Sequence, residues 1–321
     1  MPEAPSALLE TSLAGLSWPD WVQSAGKLAS ESGSAENLGP HHAALFVAQG
    51  KTLLVSFEAH HRIGDVSENG HPLGWKLAAA LGWSHLCLAS ETDTWFRDAR
   101  VYGYFDRLID EGFFEAFDQV IFYGAGPCGY AAAAFSVASP GARVLAIQPQ
   151  ASLDPRVAEW DDRFLWMRRT AFDDRYGYAP DMLDAAEQCF LLYDPEIEFD
   201  AMHAALFTRG NVTKFRMRFM GERLEVSLMR MKILLRLLAQ SSAGRLDRLG
   251  LARLYRARRG HLPYLKQVLT RLEDDGRLHL NARLCNHVIR TTPGPRFRRS
   301  LRAAYKKAEA LNVPMPPPEM E

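Results

Sequence analysis

The sequence predicts an α/β protein with a mainly parallel sheet flanked by helices, and three observations carry that reading. Short apolar runs rich in β-branched and aromatic residues alternate with stretches of helical spacing, which is the order of a parallel sheet built from right-handed crossovers. The central run, Val120 to Tyr123, lacks polar interruption, as strands covered on both faces do. It passes through Gly124, Ala125 and Gly126 into Pro127 and the small-residue helix Ala131 to Ala134, a strand, tight turn and helix at the sheet's carboxyl edge, where sites of open α/β sheets sit.

In order, residues 1–50 read as an N-terminal extension in which Trp18, Pro19 and Trp21 open a helix. LASESGSAENLG reads as a loop, and His41 and His42 as surface residues outside the sheet. Thr52 to Glu58 is the first predicted strand, ending in Glu58, His60 and His61. A helix over Pro72 to Leu81 leads to a second strand, Ser84 to Ala89, and then to Glu91, Asp93 and Trp95. Val101 to Phe117 has helical spacing and delivers the chain to the central strand. Arg143 to Ile147 is the next strand, followed by a loop with Asp154, Trp160, Asp161 and Asp162. A helix over Pro180 to Gln188 follows, then a strand, Phe190 to Tyr193, ending in Asp194. A helix over Phe199 to Phe207 and a last strand, Asn211 to Phe219, closed by Met220 and Gly221, complete a sheet domain of residues 51–240. Residues 241–310 form a basic helical region, and 311–321 a Pro-rich tail read as disordered.

The 321 residues carry 38 basic and 38 acidic side chains, so the whole molecule is not drawn to a polyanion. From Ser241 onward, however, 17 Lys and Arg face 7 Asp and Glu, leaving 21 against 31 in the rest. No aromatic-interleaved RNA motif or zinc spacing accompanies the basic helices. Nucleic acid is therefore not expected, and docking on the acidic sheet domain is the preferred explanation. No secretory signal and no apolar run of about 18 residues are seen, so no membrane span is expected. Cys87, Cys128, Cys189 and Cys285 form no C-x-x-C pair and read as reduced thiols of a cytoplasmic protein.

The turn admits two chemistries. GAGPCG satisfies G-x-G-x-x-G and resembles the GAGPAG of flavin and nicotinamide enzymes. There Gly124 makes the turn, Gly126 admits a pyrophosphate and Gly129 allows close packing, with FAD or NAD(P) as the implied cofactor. The acid that would hold a ribose is replaced by Gln148. Alternatively, YGAGPCGYAAAAF followed by QPQASLDP resembles α/β-hydrolase-fold members reading YG-x-S-x-GGYAA and then SPQ-x-S-x-DP. That resemblance implies a nucleophile elbow with Gly126 at the serine position. It also implies the acid at Asp194, in YDP followed by Asp200-x-x-His203, and the histidine of a GH pair where the chain has Gly221 and Glu222. The hydrolase resemblance therefore implies a degenerate member without serine-hydrolase activity that binds a small molecule or a protein partner and takes no cofactor.

Cys128, in the first turn of the helix, reads either as a packing residue or as a substitute nucleophile favoured by the helix dipole. Glu58, His60, His61, Glu91, Asp93, Asp154 and Glu222 are further pocket candidates, with spacings that match no metal motif. Over most of its length the chain also resembles bacterial proteins labelled phosphoadenosine phosphosulfate reductase, through LLVSFE, WSHL, DTWFRD-x-RVYGYFDRL, the GAGPCG segment, RYGYAPDMLDAA and LYRARR. The SGG-x-DS loop and ECG-x-H motif of that reductase family do not occur, and Cys285 in RLCNHV stands in neither.

Overall fold

The structure, a computed structural model, describes residues 6–291 and 294–317. The chain divides into two compact units, Met1–Arg253 and Leu254–Glu321.

The first unit is built on one eight-stranded sheet. Its strands are β1 (Gly33–Asn37), β2 (His42–Val47), β3 (Thr52–Ala59), β4 (Ser84–Ser90), β5 (Gln119–Ala125), β6 (Arg143–Ile147), β7 (Gln188–Tyr193) and β8 (Val212–Arg216), in the spatial order β1-β2-β4-β3-β5-β6-β7-β8. β1 and β2 join antiparallel at one edge, and β4, β3, β5, β6, β7 and β8 run parallel. The predicted class is thus correct, and the edge differs. GSAEN, read as a loop, is β1, with every residue exposed. His42, read as a surface residue, opens β2 and is buried, its Nε2 2.8 Å from Thr94 Oγ1. No apolar run marks β1 because a polar edge strand is specified by its partner's backbone and by the helix Trp18–Ser30 beneath it.

Strand alternation divides the core between the two faces of the sheet. Leu53, Val55 and Phe57 of β3, with Leu86 and Leu88 of β4, enter one apolar cluster. Ala43, Leu45 and Val47 of β2, with Cys87 and Ala89, enter the other. The helix Pro127–Phe135 is buried at all nine residues, of which Cys128 and Tyr130 to Phe135 enter the first cluster. Its alanines permit close approach, and Phe135 stacks on Phe57 at 5.5 Å and on Tyr176 at 4.4 Å. The predicted helix over Val101–Phe117 is the helix Ala99–Asp110, stopped at Gly112 (φ 66°) and followed by a 3-10 turn, Phe113–Ala116.

The second unit packs three helices, Leu262–Asp274, Leu278–Thr291 and Pro295–Ala310, around Leu265, Leu269, Cys285, Val288 and Phe297. Inside it Asn281 Nδ2–H donates to Ser300 Oγ at 3.1 Å, and Cys285 Sγ to Asn281 Oδ1 at 3.3 Å. The Pro-rich stretch, read as disordered, is held along its described part. Tyr305 O–H donates to the Pro316 carbonyl at 2.6 Å, and Asn286 Nδ2–H to that of Pro317 at 3.4 Å. The remaining tail residues lie outside the described ones. Among the described residues, no helix is long and apolar enough to cross a membrane.

Candidate active site

Four residues of β5 preceding Gly124 are buried, and the strand delivers the turn to the carboxyl edge of the sheet. Gly126 takes φ 59° and ψ −125°, a combination that L-residues adopt only under strain and that sharp strand-to-helix elbows impose on the residue they present. Its N–H donates to the Ile147 carbonyl at 2.8 Å, and Tyr130 N–H returns to the Gly126 carbonyl at 3.0 Å. At Gly124 a Cβ would lie 2.1 Å from the Cys128 carbonyl oxygen, so only glycine lets the helix start this close to the strand. Gly129 packs against Ile147 and Pro149.

The turn therefore has the backbone shape of an elbow. Gly126 has no side chain to attack with. Pro127, at the first helical position, has no N–H, yet the residue after the nucleophile is the one whose N–H lines the oxyanion hole in this arrangement.

Above the turn stands an arginine that sequence reasoning missed. Arg62, from the helix His60–Val66, places Nη1 3.4 Å from where a Cβ on Gly126 would be, and Nη2 donates to Asp93 Oδ2 at 2.5 Å. The turn floors a cleft of about 910 Å³ lined by Arg62, Asp65, Gly126, Pro127, Gln148, Arg163, Glu222 and Glu225, among others. The Tyr123 hydroxyl donates to Glu225, and burial raises the Glu225 carboxyl above its ordinary range.

Gln148, the residue at the ribose-acid position of the dinucleotide reading, is buried and spoken for. It sits at φ 48°. Its Nε2 donates to Asp200 Oδ2 at 2.7 Å and the Gly221 carbonyl at 3.3 Å, and its Oε1 accepts from Leu224 N–H at 3.1 Å. The side chain ties the loop after β8 to the rest of the edge.

Asp194 is fully buried at the end of β7. Oδ2 accepts from the backbone N–H groups of Met220 and Gly221, both at 2.7 Å, and Oδ1 from Glu196 N–H at 3.0 Å. The acid thus faces the loop on which the resemblance places a histidine, and holds that loop by its backbone. Glu222 is exposed there and lines the cleft.

A second polar assembly lies beside it. His203 Nδ1 accepts from Ala151 N–H at 3.2 Å, which leaves the proton on Nε2, 2.9 Å from Asp161 Oδ2. Arg163 donates to Asp161 at 3.0 and 2.8 Å and to Asp200 Oδ1 at 2.7 Å. Burial lowers the His203 pKa and keeps the ring neutral. Burial also opposes ionisation of Asp161, but the hydrogen bonds from His203 and Arg163 prevail and hold its carboxyl below the ordinary range. Both His203 ring nitrogens are engaged, so the Asp200-x-x-His203 segment braces the wall of the cleft.

The structure brings Gly126, Pro127 and Glu222 to one cleft, with Gly124 and Gly129 in the turn beneath it and Asp194 behind its loop. Glu58 and Cys128 line a smaller cavity that shares Arg62, Ala125 and Glu225 with the cleft, and His60, Glu91 and Asp154 stand elsewhere. Cys128 is buried, and burial pushes its thiol well up, opposite to the lowering expected of a helix N-terminus. His60 packs against Trp18 and Trp21 at 5.7 and 5.4 Å. Glu91 pairs with His41 at 2.7 Å. Asp154 caps a short helix and binds Arg156 at 2.5 Å.

Glu58 is buried at the end of β3, where its oxygens accept from Leu73 N–H at 3.1 and 3.0 Å and from Ser56 Oγ at 2.6 Å. Burial pushes its pKa up to about 7. The ligand atoms of Glu58, His85 and Cys87 lie within 4.8 Å of one another. Burial, however, pushes the Cys87 thiol well up and His85 down to about 3, and Ser56 Oγ lies 2.8 Å from His85 Nε2. Glu58 and His85 Nε2 are engaged by Ser56 and Leu73, while His85 Nδ1 has no hydrogen-bond partner; a metal there would need a free thiolate and open lone pairs on the engaged atoms.

No protein-family model and no curated protein matches the chain. Among solved structures it is similar to an esterase of Pyrobaculum calidifontis, at 13% identity and TM-score 0.45, over 71% of this chain and 92% of that one. It is also similar to the capsule O-acetyltransferase of Neisseria meningitidis serogroup A, at 10% identity and TM-score 0.42, over 63% and 94%. A glycosylation-associated protein complex of Streptococcus agalactiae matches at 11% identity and TM-score 0.43, over 64% and 46%. The α/β-hydrolase-like fold rests on the strand order and the turn after β5; overlaps this partial add nothing to it.

Proposed function

We propose that this protein uses the carboxyl edge of an α/β-hydrolase-like sheet to bind a small polar molecule, and that serine-hydrolase chemistry has been lost there. The observation that carries the reading is the turn itself. Gly126 keeps the backbone angles of a presented nucleophile while it and Pro127 supply neither nucleophile nor oxyanion N–H. Acyl transfer needs a nucleophile within hydrogen-bond reach of a base, and Asp194 meets a loop backbone where that base would stand. Removing one oxyanion donor alone costs on the order of 10²–10³ in rate. The cleft volume of about 910 Å³ lies within the roughly 300–1,000 Å³ of ordinary small-molecule sites.

The test pairs turnover with binding. Wild-type protein mixed with p-nitrophenyl acetate should show neither burst nor sustained release above buffer, and a metabolite library read by thermal shift should return a ligand whose effect Glu222→Arg removes. Ester turnover abolished by Cys128→Ala would overturn the reading. A stabilising dinucleotide whose effect Gly126→Val removes would replace it with the phosphate-loop alternative.

A further inference from the structure

The second unit carries a site of its own. A cleft of about 680 Å³ opens between the 3-10 turn Arg256–Gly260, the helices Leu262–Asp274 and Leu278–Thr291, and the stretch at Pro316 and Pro317. Its floor is apolar, from Tyr264, Leu265, Val268 and Leu284, and its walls carry Arg259, Arg283, His287 and Arg290. Arg283, His287 and Arg290 recur at helical spacing on one stripe of their helix, and Arg259 reaches in from the turn. Among the described residues no carboxylate lines the cleft, in a unit where Arg271 is paired with Asp275 at 3.2 Å. The guanidinium groups of Arg259 and Arg283 therefore border a concave space with no ion pair to a described carboxylate.

A second observation points to a ligand. Asn286 lines the same cleft and is 94% buried. Its Nδ2 donates to the Pro317 carbonyl, but its Oδ1 has no hydrogen-bond partner. A buried amide oxygen left unpaired costs about 1–3 kcal/mol, which a bound N–H donor relieves.

We propose that this cleft binds a small organic phosphate: a phosphate group held by Arg259 and Arg283, an apolar ring over Leu265 and Leu284, and an N–H donor directed at Asn286 Oδ1. Guanidinium forks match phosphate oxygens bidentately. The apolar floor selects against inorganic phosphate, which offers nothing to bury. The concavity selects against a nucleic-acid duplex, which meets basic residues spread over a face.

The experiment uses the full chain and calorimetric titration with 4-aminophenyl phosphate, phenyl phosphate and inorganic phosphate. The amino compound should bind at least tenfold more tightly than phenyl phosphate, and phenyl phosphate at least tenfold more tightly than inorganic phosphate. Arg259→Gln with Arg283→Gln, both exposed positions, should weaken the two ring compounds at least tenfold. Asn286→Leu should remove the preference for the amine while leaving phenyl phosphate binding. Equal affinity for all three anions, indicating an adventitious ion only, would overturn the proposal. So would ring-compound binding unchanged in the double variant. A single-stranded 20-mer binding more tightly than any of them with a steep salt dependence would assign the arginines to nucleic acid instead. None of these outcomes depends on the cleft above Gly126.

Discussion

Gly126→Ala interrogates the turn on which the functional reading stands. The residue adopts φ 59° and ψ −125°, and a side chain forced into such a region costs about 1–3 kcal/mol. The added Cβ would meet Arg62 Nη1 at 3.4 Å, ordinary contact with the end of a flexible side chain, so sterics add little. Alanine also restricts the unfolded chain, which returns about 0.4–1 kcal/mol. The expected net loss is therefore about 1–2 kcal/mol. At Gly124, two residues earlier, a Cβ would stand 2.1 Å from a backbone oxygen, so Gly124→Ala should lose clearly more, about 3 kcal/mol or above, through displacement of the helix start. All seven tryptophans lie before residue 253, so tryptophan fluorescence in urea reports the sheet unit alone, and an unchanged m-value licenses the comparison. Gly126→Ser should match Gly126→Ala in stability and remain inert toward p-nitrophenyl acetate, because Pro127 still offers no N–H. A Gly126→Ala protein more stable than wild type would refute the reasoning, since it would put residue 126 in an ordinary backbone region without an elbow.

Three further outcomes follow from the buried groups. Glu58 rises from an ordinary 4.5 to about 7, so its proton stabilises the fold below about pH 4.5, and that stability is lost as pH climbs through about 7. The gap corresponds to about 3 kcal/mol as an upper value. Glu225 shifts the same way and is present in both proteins, so wild type should lose stability relative to Glu58→Gln between pH 5 and 8, and a constant difference across that range would count against the buried carboxyl. Asp194→Ala strands three N–H groups and should cost about 3 kcal/mol or more in the urea assay, with Asp194→Asn costing less because one oxygen remains; equal losses would deny the loop-holding role. All four cysteines are buried, so Ellman's reagent should react slowly with native protein and with all four after unfolding. Rapid labelling that Cys128→Ala removes would instead mark an accessible, activated thiol.

The parts of this molecule that the sequence by itself determined are those written in local pattern. Parallel strands covered on both faces are continuous apolar runs, so β3 to β7 were legible from composition and length. The tight turn after β5 was legible because glycine, proline and small residues follow one strand in a fixed order.

What the tertiary structure alone decided rests on contacts between residues far apart in the chain. β1 is polar and exposed, and pairs with β2 only because the sheet offers an edge. Arg62 stands over a turn 64 positions later, and His203 reaches back to Asp161 and Ala151. Neither has a sequence signature, because a side chain's chemistry does not name the partner that folding brings to it. The same reason governs the acids: Glu58, Asp154 and Asp194 look alike at strand ends, and only burial and the donors each one meets make the first a helix cap inside the core, the second a surface cap and the third the anchor of the loop after β8.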